Sequence, residues 1–191
     1  MKNAFLTPSR LKALLLQAMI MLGLSSCKEA EVFRPLAYYD LIGSWTTNGF
    51  VFESGGPLPK ADQLAWFTYM EASSFTFQSD STYRKRSKDS FVNSTTVLVK
   101  LERGTFSVSN GILKLSTRDT ITGTTRNTYY RCDFTRKQIG NSEIRTVSMH
   151  STRDLLLKSL AEQNQTTAMI QQNFPYLLDR NLFTISQELT R

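Results

Sequence analysis

The sequence predicts a mainly β fold: an antiparallel barrel of about eight strands with a C-terminal helical segment and a final strand. Three observations carry this expectation. From Leu41 onward the chain is a succession of short runs rich in Thr, Phe, Tyr and Val, residue types that suit a pleated surface, and 21 Thr and 17 Ser lie between Cys27 and Arg191. Turn residues separate these runs at the spacing of successive hairpins. After Met149 the apolar repeat lengthens from two to about 3.6 residues. With 191 residues, 12 Phe and 7 Tyr, the chain can bury one core and offset its ordering entropy, which excludes both a disordered protein and a two-domain machine.

The first 26 residues stand outside this fold. Lys2, Arg10 and Lys12 make a basic start, Ala13 to Leu24 an apolar run of signal-peptide length, and small residues follow at once. The run is too short to span a bilayer, which takes roughly 20 apolar residues. It ends in Leu24-Ser25-Ser26-Cys27, which resembles the lipobox of bacterial lipoproteins. That resemblance implies a signal peptide over 1–26, acylation of Cys27 with chains such as palmitate, and anchoring in the cell envelope, at the outer membrane, on its periplasmic or its outer face. Cleavage before Cys27 leaves 165 residues and lowers the net charge from +7 to +4, because three basic residues and no acidic one precede it. A surface of +4 can lean on anionic lipid but is not that of a nucleic-acid binder. Cys132 is then the remaining thiol, expected in the core as a small hydrophobe.

Residues 27–40 read as the lipidated Cys and a tether, since Lys28 to Pro35 is polar and shows neither sheet nor helix period. Lys28-Glu29-Ala30-Glu31 also resembles the charged tails of surface-exposed lipoproteins in the Bacteroidetes. The barrel domain is expected over 41–191. Its first strand starts at Leu41-Ile42-Gly43-Ser44-Trp45 and reaches Phe52, before a loop from Ser54 to Pro59. Ala65 to Met70 is compatible with a strand or a lid-like helix and is taken as a strand. Phe75-Thr76-Phe77 and Thr82 to Lys85 flank a turn at Ser79-Asp80-Ser81; Val97 to Glu102 meets Thr105 to Val108 across Gly104. Asn110-Gly111 turns into Ile112 to Leu115, and Asn-Gly is the strongest short hairpin cue. Arg126 to Thr135 and Glu143 to Met149 form the next pair.

A capping box from Ser151 to Asp154 precedes Leu155, Leu156, Leu157 and Leu160, which predicts an amphipathic helix. A second helical stretch, with Met169, Ile170 and Phe174 on one face, runs from about Thr166 until Pro175 stops it. Leu182 to Leu189 reads as the final strand.

Taken in order, these elements are similar to those of the lipocalins and of lipocalin-like lipoprotein domains. Gly43-Ser44-Trp45 resembles the Gly-x-Trp motif whose Trp plugs the closed end of that barrel, and Thr152 to Leu156 resembles the segment before the helix, in which an Arg stacks on that Trp. The resemblance implies a barrel floor of Gly43, Trp45 and Arg153, joined by a cation–π contact. The family's late Thr-Asp-Tyr turn is absent, which points to the broader lipocalin-like group.

Recognisable catalytic chemistry is missing from the sequence. It holds no Gly-x-Ser-x-Gly elbow, no His-Glu-x-x-His and no phosphate-binding Gly loop, and two Cys and one His do not make a zinc cluster. No cofactor is expected, and no enzyme. Tyr83 to Lys88 reads as a solvated, basic hairpin arm. Two functions from different classes remain. In the first, the barrel binds a small hydrophobic or amphipathic ligand without catalysis, with Trp66, Phe67 and Tyr69 as candidate lining. In the second, the barrel is filled and its outer face docks to another envelope protein. An interior crowded by Phe75, Phe77, Phe106 and Tyr130 favours the second, and small interior residues with one open mouth favour the first.

Overall fold

A computed structural model describes residues 31–53, 55–56, 73–90, 97–119, 122–179 and 183–191. Among them run nine strands: β1 (Glu31–Pro35), β2 (Gly43–Glu53), β3 (Ser73–Phe77), β4 (Thr82–Ser90), β5 (Val97–Ser109), β6 (Ile112–Arg118), β7 (Thr125–Ile139), β8 (Ser142–Thr152) and β9 (Thr184–Thr190). From β2 onward each strand pairs antiparallel with the next, and β9 returns to β2 from Thr46↔Thr190 to Glu53↔Thr184. Eight strands therefore close on themselves as an up-and-down barrel, the predicted architecture, and closure removes the edges an open sheet would expose. The expected strand between Ala65 and Met70 lies outside the described residues.

Local chemistry sets the turns. Asn110 and Gly111 have φ of 50° and 72°, as the two centres of a type I′ hairpin require. Gly104, in contrast, is not a turn: β5 runs unbroken through it from Val97 to Ser109. Its role is close approach. A Cβ there would fall far inside contact of the Ser116 carbonyl oxygen and 2.9 Å from Cε1 of Tyr83.

The stretch read as a tether is structured from Glu31. β1 pairs with the far half of β7, from Glu31↔Lys137 to Pro35↔Asp133, and a helical turn α1 (Tyr38–Leu41) follows. A five-residue strand held along one edge, with every residue exposed, has no alternation to betray it. Arg34 grips Asp40 with two bonds of 2.6 and 2.7 Å, and Asp40 also accepts the Ala37 amide at 2.9 Å, which caps the turn. Leu36 and Leu41 are buried, and the Tyr38 ring stacks on Phe106 at 5.2 Å. The segment thus plugs one end of the barrel, together with the β3–β4, β5–β6 and β7–β8 turns.

A helical excursion occupies the other end, between β8 and β9: α2 (Arg153–Glu162), α3 (Thr167–Asn173) and α4 (Pro175–Asp179). The expected capping box is corrected. Strand β8 continues to Thr152, which precedes α2 without a side-chain cap, and Ser151 instead donates to the Tyr129 carbonyl at 3.4 Å. At α3 Thr166 does cap, accepting from the Met169 amide at 3.3 Å, but Met169 is exposed while Ile170 is buried. Pro175 opens α4 as well as ending α3, because its fixed φ suits a first helical turn. Tyr176, Leu177, Phe183 and Ile185 form a second apolar cluster, against which Leu156, Leu157 and Leu160 pack.

Candidate functional site

Antiparallel partners point to the same side of a sheet, so the register identifies the barrel's interior. On the closed side this interior is apolar: Trp45, Phe75, Phe77, Phe106, Leu113 and Met149 belong to one buried cluster, with Tyr130 packed against it. Cys132 is buried there with its thiol free, and burial pushes its ionisation far up, so it behaves as a hydrophobe.

Trp45, 1% exposed, donates its indole N–H to the Leu41 carbonyl at 2.6 Å. A cation does cover it, but not the expected one. The guanidinium of Arg191, directly after β9, lies 4.7 Å from the ring centroid and donates to the Ile42 carbonyl. Arg153 is turned to α4, donating to the carbonyls of Leu177 at 2.6 Å and Leu178 at 3.2 Å, so it ties the helical excursion together instead of flooring the barrel. The same geometry explains Gly43. Its φ is +130°, and a Cβ there would collide with the Arg191 guanidinium. No local pattern announces Arg191; only the closure of β9 on β2 brings it to Trp45.

Toward the other end, which opens to solvent where β5 parts from β6, the β4–β6 side of the interior becomes polar, while Phe183 and Ile185 keep the β9 side apolar. Glu102 accepts from the Tyr83 hydroxyl, from Thr117 at 2.9 Å and from Arg126 at 3.1 Å. Burial opposes the charge on Glu102, but Tyr83, Lys85, Thr117 and Arg126 outweigh it, and its ionisation falls below the ordinary carboxylate range. The Tyr83 phenol is driven the other way, by burial first and then by the neighbouring carboxylate. Residues 83–88, read as a solvated basic arm, are strand β4: Tyr83 is buried, Lys85 half-buried, and Arg84 and Arg86 exposed. Because the folded-state ionisation of Glu102 is depressed, its contribution to stability is complete above the ordinary carboxylate value and is lost as pH falls through the folded one. Glu102→Gln is therefore expected to flatten the acid limb of a stability–pH profile, and an unchanged limb would show that the cluster carries no such linkage.

At the rim β5 parts from β6, their pairing ending at Gly104↔Thr117 while β5 stays on β4 as far as Val97↔Ser90. A cleft of about 900 Å³ opens there. Lys100, Arg103, Arg118 and Arg126 line it with Glu102 and Asp119, and residues 162–165, at the end of α2, form its wall. Glu162 anchors that wall to β7 by accepting from Tyr129 at 2.7 Å and Asn127 at 2.7 Å. The Tyr129 phenol is pushed up to about 12 by burial and by this bond. Trp66, Phe67 and Tyr69, the candidate lining, and Cys27, the candidate lipidation site, lie outside the described residues. His150 shares a 2.8 Å hydrogen bond with Ser186 across β8 and β9. Among the described residues no group of three or more His, Cys, Asp or Glu could hold a metal ion, and no helix is long and apolar enough to cross a membrane. Compared with known proteins, the chain matches no family model, no curated protein and no solved structure.

Proposed function

We propose that this chain is a lipocalin-like lipoprotein, anchored to the envelope through acylated Cys27, whose barrel binds a small amphipathic molecule without catalysis. The observation that carries the binding reading is the polar β4–β6 side of the open end above an apolar floor, joined to a 900 Å³ cleft. Four cations and three carboxylates line this cleft, a net charge of +1; Glu102 is engaged by Tyr83, Thr117 and Arg126, Glu162 by Tyr129 and Asn127, and Asp119 accepts from the Thr122 amide. That balance favours an anionic head group over a neutral, wholly hydrophobic ligand.

Dodecanoate and dodecyl phosphate should raise the melting temperature and appear as bound mass in native mass spectrometry, because a ligand held only by the folded state stabilises it. Dodecyltrimethylammonium should not, and Arg126→Gln should weaken both anions. A protein that stays at its bare mass with all three, and with envelope lipid extract, would sink this reading. The second reading, a filled barrel that docks to another envelope protein, is favoured by the burial of Phe75, Phe77 and Phe106, and that outcome would transfer the weight to it.

The anchor has its own test. Two or more acyl chains hold a protein far more firmly than one, so wild type should partition with membranes and incorporate labelled palmitate, and Cys27→Ser should lose both. A wild type that fractionates as soluble and unlabelled would refute lipidation.

A further inference from the structure

The plugged end of the barrel carries an exposed apolar surface that the barrel itself does not use. β1 and the far halves of β7 and β8 form a three-stranded flap, since Glu31 pairs with Lys137, and Lys137 in turn with Ile144. On its outer face Phe33 is 70% exposed, and Ile139 and Ile144 are each 43% exposed. Ile139 pairs with Ser142 and Ile144 with Lys137, so the two isoleucines are diagonal neighbours on one face. Lys137, the partner of Ile144, adds one cation to this face, while Arg136 and Arg145 stand on the opposite face, where both pair with Glu143.

The chain itself says what covers this face. β1 enters at Glu31, level with the end of the β7–β8 hairpin, whose turn is Gly140-Asn141. Cys27 is four residues earlier. At roughly 3.3–3.6 Å per extended residue, Glu31 cannot stand more than about 14 Å from it, whatever path the intervening residues take. Resting on the proposed lipidation of Cys27, we propose that the β1 face and the β7–β8 hairpin tip dock on the bilayer surface, with Phe33, Ile139 and Ile144 seated among the head groups and the polar open end turned away from the membrane. An anchor this short leaves little room for the barrel to swing clear, exposed apolar patches mark interaction sites, and the positive charge of Lys137 on this face suits anionic head groups. The protein would then present its cleft to the aqueous compartment in a defined orientation instead of tumbling on a leash.

The test uses the full chain, processed in cells and reconstituted into vesicles of phosphatidylethanolamine and phosphatidylglycerol containing a diazirine-bearing phosphatidylglycerol. After photolysis, peptide mass spectrometry maps the lipid adducts and reports in the same spectra whether the mature chain begins at an acylated Cys27. Adducts should concentrate on residues 31–35 and 136–145, and should fall several-fold in a Phe33→Asp, Ile139→Asp, Ile144→Asp variant that keeps its acyl group. These positions are exposed, so the variant should retain wild-type thermal unfolding. An acylated chain whose adducts are spread evenly, or gather around Leu101 and Arg118 at the open end, overturns the docking and leaves the anchor intact. Adducts on the hairpin of a chain without an acyl group uphold the docking and refute the anchor, and a chain with neither overturns both.

Discussion

Trp45→Ala should cost roughly 3–5 kcal/mol, the range for removing a large aromatic side chain from a core, and for a chain of this length should lower the melting temperature by about 6–20 °C. The indole is almost fully buried, fills the floor of the closed end and pairs its N–H with Leu41. Its truncation removes apolar contact and leaves a cavity between α1 and the first strands. Arg191→Ala should cost about 1 kcal/mol, as for a cation–π contact that is partly desolvated. A double-mutant cycle by denaturant unfolding should show coupling between Trp45 and Arg191 and none between Trp45 and Arg153. Coupling to Arg153 with none to Arg191 would reverse the assignment made from the geometry.

Gly104→Ala is the second large effect expected. The new methyl group has nowhere to go: the atom it meets first is the Ser116 carbonyl oxygen of the neighbouring strand, and Tyr83 closes the other side. Neither can swing aside as the end of a flexible side chain could, so the cost should lie at or above the ~3 kcal/mol reached by ordinary overpacking. Displacing Tyr83 should also disturb its bond to Glu102, so the variant should lose the acid limb described for that carboxylate. Gly140→Ala is the control. Nothing lies within 4 Å of a Cβ there, and only its φ of +57° resists substitution, a cost of roughly 1–2 kcal/mol. Equal stability of Gly104→Ala and wild type would mean that the two strands can part at little cost.

Where a signal was local, the sequence was readable. Asn110-Gly111 announces its hairpin because the turn needs two residues with positive φ, and the leucines from 155 to 160 announce α2 because a helix needs an apolar stripe. Gly104 misled, since a glycine between two β runs looks the same whether it turns the chain or admits a neighbour. The polar half of the interior was hidden for a related reason. In β4 the succession Tyr83-Arg84-Lys85-Arg86 puts charge on both faces, so alternation cannot say that Lys85 looks toward Glu102 while Arg84 looks outward. The exchange of Arg153 for Arg191 is the plainest case. Both are arginines at the border of a β segment, and nothing short of the closed ring tells them apart.

The order of strands around the barrel also sets when it can be completed. The strand that closes the ring is the last to be made, and it must find a partner at the other end of the domain: Gln187 bonds Thr47 across 140 residues at 2.9 Å. Until β9 arrives, β2 and β8 each present a row of unsatisfied amides and carbonyls, the kind of template on which chains aggregate. Contacts at such separation are slow to form, because loop closure must precede any gain from pairing. A chain that emerges N-terminus first, from a ribosome or through a translocation pore, therefore stays an open, sticky sheet for nearly the whole of its synthesis or passage. Loss of the segment from Thr184 onward would cost far more than its share of the sequence, since it would leave the barrel permanently ajar.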